Sequence, residues 1–303
     1  MDEHIDGCVR SGNFSRFSLD GSRVIDGSSE DFLVEQRKRI VGIVGLGSVG
    51  SALRKVLGNF YTVAGYDIKG EFEWEPIIHT EFVFICVQTP GLITGRLDCS
   101  HVEDVIDRLS SDHYRGIVII KSTLKVGFSQ YLAEKYTNLR IVYSPEFMSE
   151  RNAFSWTANP DRLVIAGNPG DVEGVKKLYF WANNAEIILT DFKTAEIGKL
   201  AHNSFIALKV TFTNTMENVS DAIGANVDEV MHIVYSDRRV RNSAHLTPHM
   251  GPYGGKCVPK DTSELINAFP NETRLLKVAD EINDSIIENT GELKTEKQIR
   301  TVE

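Results

Sequence analysis

The residues best equipped for chemistry lie late in the chain, in Gly251-Pro252-Tyr253-Gly254-Gly255-Lys256-Cys257-Val258-Pro259-Lys260-Asp261-Thr262. A cysteine sits in a glycine-rich loop with Lys256 and Lys260 close in sequence. The run Asp261-Thr262-Ser263-Glu264 has the composition of a helix start, with Thr262 or Asp261 as its cap. Positive charge and a nearby helix N-terminus both favour thiolate over thiol. Gly254 and Gly255 let a substrate approach the backbone closely. An inert cysteine buried on a turn fits this stretch equally well. Two further pairs have useful spacing. Lys199 and Asn203 stand four apart in a segment of helical period and would present an ammonium and an amide to one developing oxyanion. Taken on that helix alone, an ordinary polar stripe is the better reading. Glu146 and Glu150 are also four apart. On a helical turn they would share a face and supply a base for water, or simply a solvated acidic patch.

These groups need a scaffold, and the first half of the chain describes one. Ile40-Val41-Gly42-Ile43-Val44 is a short apolar run suited to a buried parallel strand. It feeds Gly45-Leu46-Gly47-Ser48-Val49-Gly50, with a helical pattern from Ser51 to Leu57 behind it. In this G-x-G-x-x-G context Gly45 permits the tight turn, Gly47 lets backbone reach a pyrophosphate, and Gly50 lets helix and strand pack closely. Ser48 and Val49 open the helix whose N-terminus faces the phosphates. A second strand, Tyr61–Tyr66, ends in Asp67, placed to accept hydrogen bonds from an adenosine ribose and to repel a 2′-phosphate, which favours NAD over NADP. As a bare strand-end turn residue Asp67 would mean nothing.

The alternation continues with strands at Glu81–Val87, Gly116–Ile120, Arg140–Tyr143, Asp161–Gly167 and Ala185–Leu189. Thr89, Thr123 and Glu146 each follow a strand, and ligands of open parallel sheets bind beyond the carboxyl ends of strands. From Lys193 to Val219 the period turns helical, interrupted only by Gly198, and predicts one long helix with apolar faces to cover. His202, beside Asn203, points elsewhere on that helix and reads as structural. Helical segments at Asn226–Val234 and Thr273–Ile286 follow.

Composition narrows the function. The chain has 303 residues, 42% hydrophobic and 25% charged, with a net charge of −9. That argues against nucleic acid or an anionic membrane as its main partner. Cys8, Cys86, Cys99 and Cys257 are scattered, giving neither a disulfide framework nor a metal-binding pair, and fit a reducing, cytoplasmic setting. No signal peptide is evident at the acidic N-terminus, and no apolar run is long enough to span a bilayer. We expect an α/β protein: a polar N-terminal extension over 1–38, a Rossmann-type doubly wound sheet binding NAD over 39–191, and a helical domain with one long central helix over 192–303.

Together these motifs resemble the UDP-glucose/GDP-mannose dehydrogenase family from about Ile40 to Asn283. The resemblance rests on Gly45-Leu46-Gly47-Ser48-Val49-Gly50, Val87-Gln88-Thr89-Pro90, Lys121-Ser122-Thr123, Pro145-Glu146-Phe147-Met148-Ser149-Glu150, Pro160-Asp161-Arg162, Lys199 with Asn203, and Gly254-Gly255-Lys256-Cys257-Val258-Pro259-Lys260-Asp261. It implies a four-electron oxidation of a nucleotide sugar, UDP-glucose to UDP-glucuronate first among them, of the kind that serves polysaccharide biosynthesis. By the same resemblance Cys257 holds the aldehyde as a thiohemiacetal and then a thioester. Lys199 and Asn203 stabilise oxyanions, and Asp261, Glu150 and Thr123 position or activate water. Cofactor contacts are implied for Gly45, Gly47, Ser48, Val49, Gly50, Asp67, Thr89, Thr123 and Lys260. Substrate contacts are implied for Glu146, Phe147, Glu150, Lys199, Asn203, Arg239, Tyr253 and Gly254, and no metal is required. A homodimer through the long helix 193–219 is also implied. Family members usually continue into a third, nucleotide-binding domain, whereas this chain stops at Glu303. Leu124-Lys125-Val126-Gly127 lacks the usual proline, and Arg241 stands where the family has glycine. A 3-hydroxyacid-type reductase, which also pairs a Rossmann domain with a helical one but needs no cysteine, is the rival enzyme. A catalytically incomplete protein that binds NAD or a nucleotide sugar is the rival non-enzyme.

Overall fold

The computed structural model describes residues 34, 36–70, 72–148, 152–238, 240, 245, 248–271 and 273–290. Glu150, Arg239 and nearly all of the 1–38 extension lie outside the described residues.

Seven strands form one sheet in the order β2-β1-β3-β4-β5-β6-β7. They are β1 (Ile40–Val44), β2 (Thr62–Tyr66), β3 (Phe82–Ile85), β4 (Ile117–Ile120), β5 (Arg140–Tyr143), β6 (Arg162–Gly167) and β7 (Glu186–Thr190). β1 to β5 pair in parallel, and β6 reverses against β5. β3 and β4 are buried at every residue, as expected of strands covered on both faces. The covering helices are α1 (Ser48–Leu57), α2 (Glu75–Ile78), α3 (Ser100–Ser111), α4 (Phe128–Lys135), α5 (Ala153–Ala158) and α6 (Pro169–Leu178). The expectation of a Rossmann-type sheet is met. Helices α2, α4 and α5 went unforeseen, being short and weakly periodic.

After β7 comes α7 (Phe192–Ile223), a helix of 32 residues. Its ends explain its length. Asp191 accepts a hydrogen bond from the Thr194 amide at 3.0 Å, and Gly224 closes it in the left-handed region at φ 71°. It is followed by α8 (Val227–Ser236), α9 (Val258–Ala268) and α10 (Arg274–Thr290). Helix α9 begins earlier than its sequence suggests. Cys257 is its N-cap residue and Pro259 lies in its first turn, where a missing amide proton costs nothing. Asp261 and Thr262 are therefore inside the helix and fully buried, so neither caps it.

One hydrophobic core runs from the sheet into these helices: Val44, Ile85, Ile120 and Tyr143 belong to the same cluster as Ala195 and Leu200 of α7 and Leu265 of α9. Glu196 adds a polar tie. It is fully buried and accepts hydrogen bonds from the amides of Gly127 at 2.6 Å and Ser129 at 2.7 Å, which cap α4. Burial raises its pKa, and these bonds oppose the rise. The result is that the carboxyl ends of β3, β4 and β5 face α7 and α9.

Candidate active site

At the edge formed by β1 and β2, the geometry is made of backbone. Gly45 has φ 90°, and a Cβ there would stand 2.8 Å from the carbonyl of Cys86. A Cβ on Gly50 would collide with the carbonyl oxygen of Gly45. At Gly47 a Cβ would meet nothing within 4 Å. Two glycines thus serve the fold and the third keeps space open before the first turn of α1. That turn carries no acidic residue, and Ser48 is exposed in it. The cradle fits a pyrophosphate at a helix N-terminus. Asp67 accepts from the amides of Leu46 at 2.7 Å and Lys69 at 2.8 Å, and these bonds hold its carboxyl below the usual carboxylate range. It is fixed, ionised and half-exposed at the end of β2. Among the described residues no group of three His, Cys, Asp or Glu is arranged to hold a metal ion.

The second half of the site is built from side chains on α7 and α9. Asn203 is buried and donates from Nδ2 to Asp261 Oδ2 at 2.5 Å. Asp261 is fully buried, and its other oxygen accepts from Lys260 Nζ at 2.6 Å. Lys199, one helical turn before Asn203, is buried too. Burial pushes its pKa down, while Asp261 and Cys257, both near enough to be felt, oppose that shift. Cys257 is exposed at the N-terminus of α9, where negative charge is favoured. An exposed thiol beside buried ammonium and amide donors is an arrangement suited to covalent chemistry.

The strand ends complete the enclosure. Lys121, just past β4, is buried and pairs with Glu146 Oε2 at 3.2 Å. Its pKa is raised because the attraction of Glu146 overcomes the opposing effect of burial. Glu146 also accepts from the amides of Phe147 at 2.9 Å and Met148 at 3.1 Å. The Phe147 ring lies 5.2 Å from Lys199 Nζ and 4.2 Å from the Arg162 guanidinium. The reversal of β6 explains Arg162: Tyr143 pairs with Ala166, and that antiparallel register, continued, sets Arg162 opposite Phe147. Thr123 is half-buried after β4, and Thr89 is buried after β3.

Several placements differ from the sequence reading. Tyr253 is buried, its hydroxyl donates to Asp280 at 2.7 Å, and its amide donates to Asn283 at 2.8 Å. It anchors the glycine loop to α10. Gly254 follows, half-buried, before Gly255 at φ 77°. His202 does touch the site: Nδ1 lies 3.0 Å from Asn203 Oδ1, and its ring meets Phe147 edge-on. Burial lowers its pKa. Cys86 is half-buried just beyond β3, and burial pushes its thiol up to about 12. Lys121, Arg162 and Glu264 were read only as parts of motifs, with no contact assigned, and Glu196 was missed. A lysine ending a wholly apolar strand and an acid inside an apolar helical stripe were the available signals.

The comparisons decide the family. The model of the UDP-glucose/GDP-mannose dehydrogenase NAD binding domain matches residues 61–183, and that of the same family's central domain matches 193–285. The chain belongs to the UDP-glucose/GDP-mannose dehydrogenase family. It therefore carries that family's NAD-binding domain. The glycine cradle lies before the matched residues and stands on its own geometry. A UDP-glucose 6-dehydrogenase of Rickettsia bellii is 36% identical over 205 residues, covering 65% of this chain and 47% of the relative. The chain spans about half the length of the curated relatives it matches. A UDP-glucose dehydrogenase structure from Pyrobaculum islandicum superposes with TM-score 0.73 at 23% identity, covering 82% of this chain and 68% of that one. A 3-hydroxyisobutyrate dehydrogenase from Mycobacterium tuberculosis gives 0.61 at 14% identity, covering 82% and 94%. These likenesses show the fold alone, and the fold is common to both rival enzyme types.

Proposed function

We propose that the chain oxidises the C6 alcohol of a nucleotide sugar, with UDP-glucose the leading candidate, to a carboxylate. The observation that supports this reading is the Lys199–Asn203–Asp261–Lys260 cluster beside an exposed Cys257, set against the strand ends of an NAD-binding sheet. The glycine cradle and Asp67 would hold NAD, and NAD when bound accepts one hydride in each of two oxidations. The residues supply the rest. Loss of a hydride and a proton from the alcohol leaves an aldehyde. The Cys257 sulfur adds to its carbon, and the oxygen takes a proton, giving a thiohemiacetal. Loss of a second hydride and proton leaves a thioester on Cys257. Water attacks its carbonyl carbon, the C–S bond breaks, and the carboxylate leaves while the thiol is regenerated. Lys199 and the remaining amide proton of Asn203 stabilise the oxyanions, and Asp261 orients or deprotonates water. Glu146 and Phe147 line the sugar's side, and Thr123 helps position water.

In this reading residues 39–191 and 192–303 act as cofactor and thiol units respectively. A second copy of the chain covers the long helix. Phe205, Phe212 and Val219 are exposed on α7 at the seven-residue spacing of a helix–helix seam. Replacing Phe205 and Phe212 by Glu should leave a monomer in light scattering.

The deciding assay counts NADH per sugar consumed with NAD and a panel headed by UDP-glucose. Two NADH, lost with Cys257→Ala, supports the reading. Activity untouched by Cys257→Ala on a 3-hydroxyacid favours the thiol-free reductase, whose fold this chain shares. NAD binding without NADH from any sugar favours a binding protein.

A further inference from the structure

A further buried carboxylate lies outside the cluster just described, and its partners tie α9 to the loop that leaves β3. The segment leaving β3 passes Thr89 and Pro90 and forms a small antiparallel bridge between Gly91 and Leu97. Its tip turns tightly, with the Leu92 amide donating to Arg96 and the Gly95 amide to Leu92, each at 2.8 Å. The loop lies on α9. A Cβ on Gly91 would stand 3.3 Å from Lys260 Cβ, and one on Gly95, at φ 76°, would stand 2.6 Å from Ser263 Oγ. Only glycine permits so close an approach at Gly95.

Glu264 secures the contact. Its side chain is completely buried. Oε2 accepts from the Leu97 amide at 2.5 Å and from Arg96 Nε at 3.2 Å, and the same nitrogen is 3.1 Å from Oε1. Burial pushes its carboxyl up, and Leu97 and Arg96 oppose the shift. Lys260 and Glu264 are one turn apart, so the loop seats on the helix face that also carries the partner of Asp261. A buried acid is a costly way to hold a loop, and an apolar contact would suit stability alone at least as well. A directional bond instead fixes one register.

We propose that Glu264 is a positioning residue, whose clasp on Arg96 and Leu97 fixes the Cys257 helix relative to the loop leaving β3, beside the cofactor-binding strands. This rests on the thiol-dependent oxidation proposed above. The first oxidation acts on a free alcohol, the second on an adduct held by Cys257. A loosened clasp therefore damages the second more than the first.

The experiment compares wild type with Glu264→Ala and Glu264→Gln, which keeps an acceptor for the Leu97 amide. Arg96→Ala, at a half-exposed position, provides a milder break should Glu264→Ala fail to fold. In Glu264→Ala, NADH per sugar falls from two toward one, and semicarbazide traps free aldehyde. Glu264→Gln restores most of the coupling. A second readout needs no turnover: the rate at which iodoacetamide alkylates Cys257, with and without NAD. Coupling of the two edges makes NAD change that rate about fivefold in wild type and leave it unchanged in the variant. An equal response to NAD in both proteins, or two NADH per sugar retained in Glu264→Ala, overturns the proposal. If no sugar yields NADH in wild type, the oxidation reading fails, and the alkylation comparison still decides the clasp.

Discussion

The two edges of the candidate site are built on opposite principles. The cofactor edge at β1 and β2 consists of backbone: three glycines, a helix N-terminus and one carboxylate held by amides. The thiol edge at α7 and α9 consists of buried ionisable side chains in mutual contact. A backbone site is sensitive above all to added volume. A side-chain site is sensitive to the loss of single atoms, and it carries a desolvation cost that the cofactor edge avoids. Substitutions at the two edges should therefore differ in kind.

The largest effect is expected at Cys257. Cys257→Ala should abolish carboxylate formation, read by product analysis, while leaving NAD affinity intact by calorimetry. Coupled loss of NAD binding would erase the distinction between the edges. Next is Asn203→Ala, which removes the proposed oxyanion donor and one partner of Asp261. It should lower kcat by about 10²–10³-fold. Denaturant unfolding should show a stability loss of about 1–3 kcal/mol for a buried acid that has lost a hydrogen bond.

The glycine cradle offers a sharper contrast. Gly50→Ala drives a Cβ into the Gly45 carbonyl and should cost about 1–3 kcal/mol of stability together with NAD affinity. Gly47→Ala meets no protein atom within 4 Å and should melt like wild type while binding NAD less tightly. Equal melting losses in both variants would contradict the division between a folding glycine and a ligand glycine.

Smallest in size, and opposite in sign, is the stability effect of Lys199→Met. Burial holds the Lys199 pKa below that of free lysine, so the folded chain disfavours its charge. The cost is complete below the folded pKa and is relieved as pH climbs toward the unfolded value near ~10.4. Lys199→Met should thus be inactive yet raise Tm at pH 7, by about 2–4 °C per kcal/mol. The gap to wild type should narrow as pH rises, and a gap that widens with pH would count against it.

Legibility in the sequence followed the range of the interactions. The glycine run, Asp67 and the Lys199–Asn203 pair are local patterns, and each stands where its spacing placed it. Strands β3 and β4 were plain because burial on both faces leaves an unbroken apolar run. The contacts of Arg162 with Phe147 and of Lys121 with Glu146 were not legible. The first depends on the reversal of β6, and the second joins side chains beyond two different strands. The burial of Tyr253 was not legible either, because its partners Asp280 and Asn283 lie far along the chain. Helix α9 began early because Pro259 and Cys257 were read as loop chemistry rather than as a first turn and its cap.

The carboxylate of Glu196 on the amides of Gly127 and Ser129 gives the molecule a timetable. Helix α4 has only eight residues and little chance of persisting unaided. Its cap lies 69 residues later than Gly127. At about 5–20 residues per second, a ribosome needs roughly 3–14 s to deliver it. During that interval β4 and β5 are already synthesised, and the connection between them waits with its amides unanswered. The strand order of the sheet can form early, but the edge that faces the thiol is finished only when the long helix emerges.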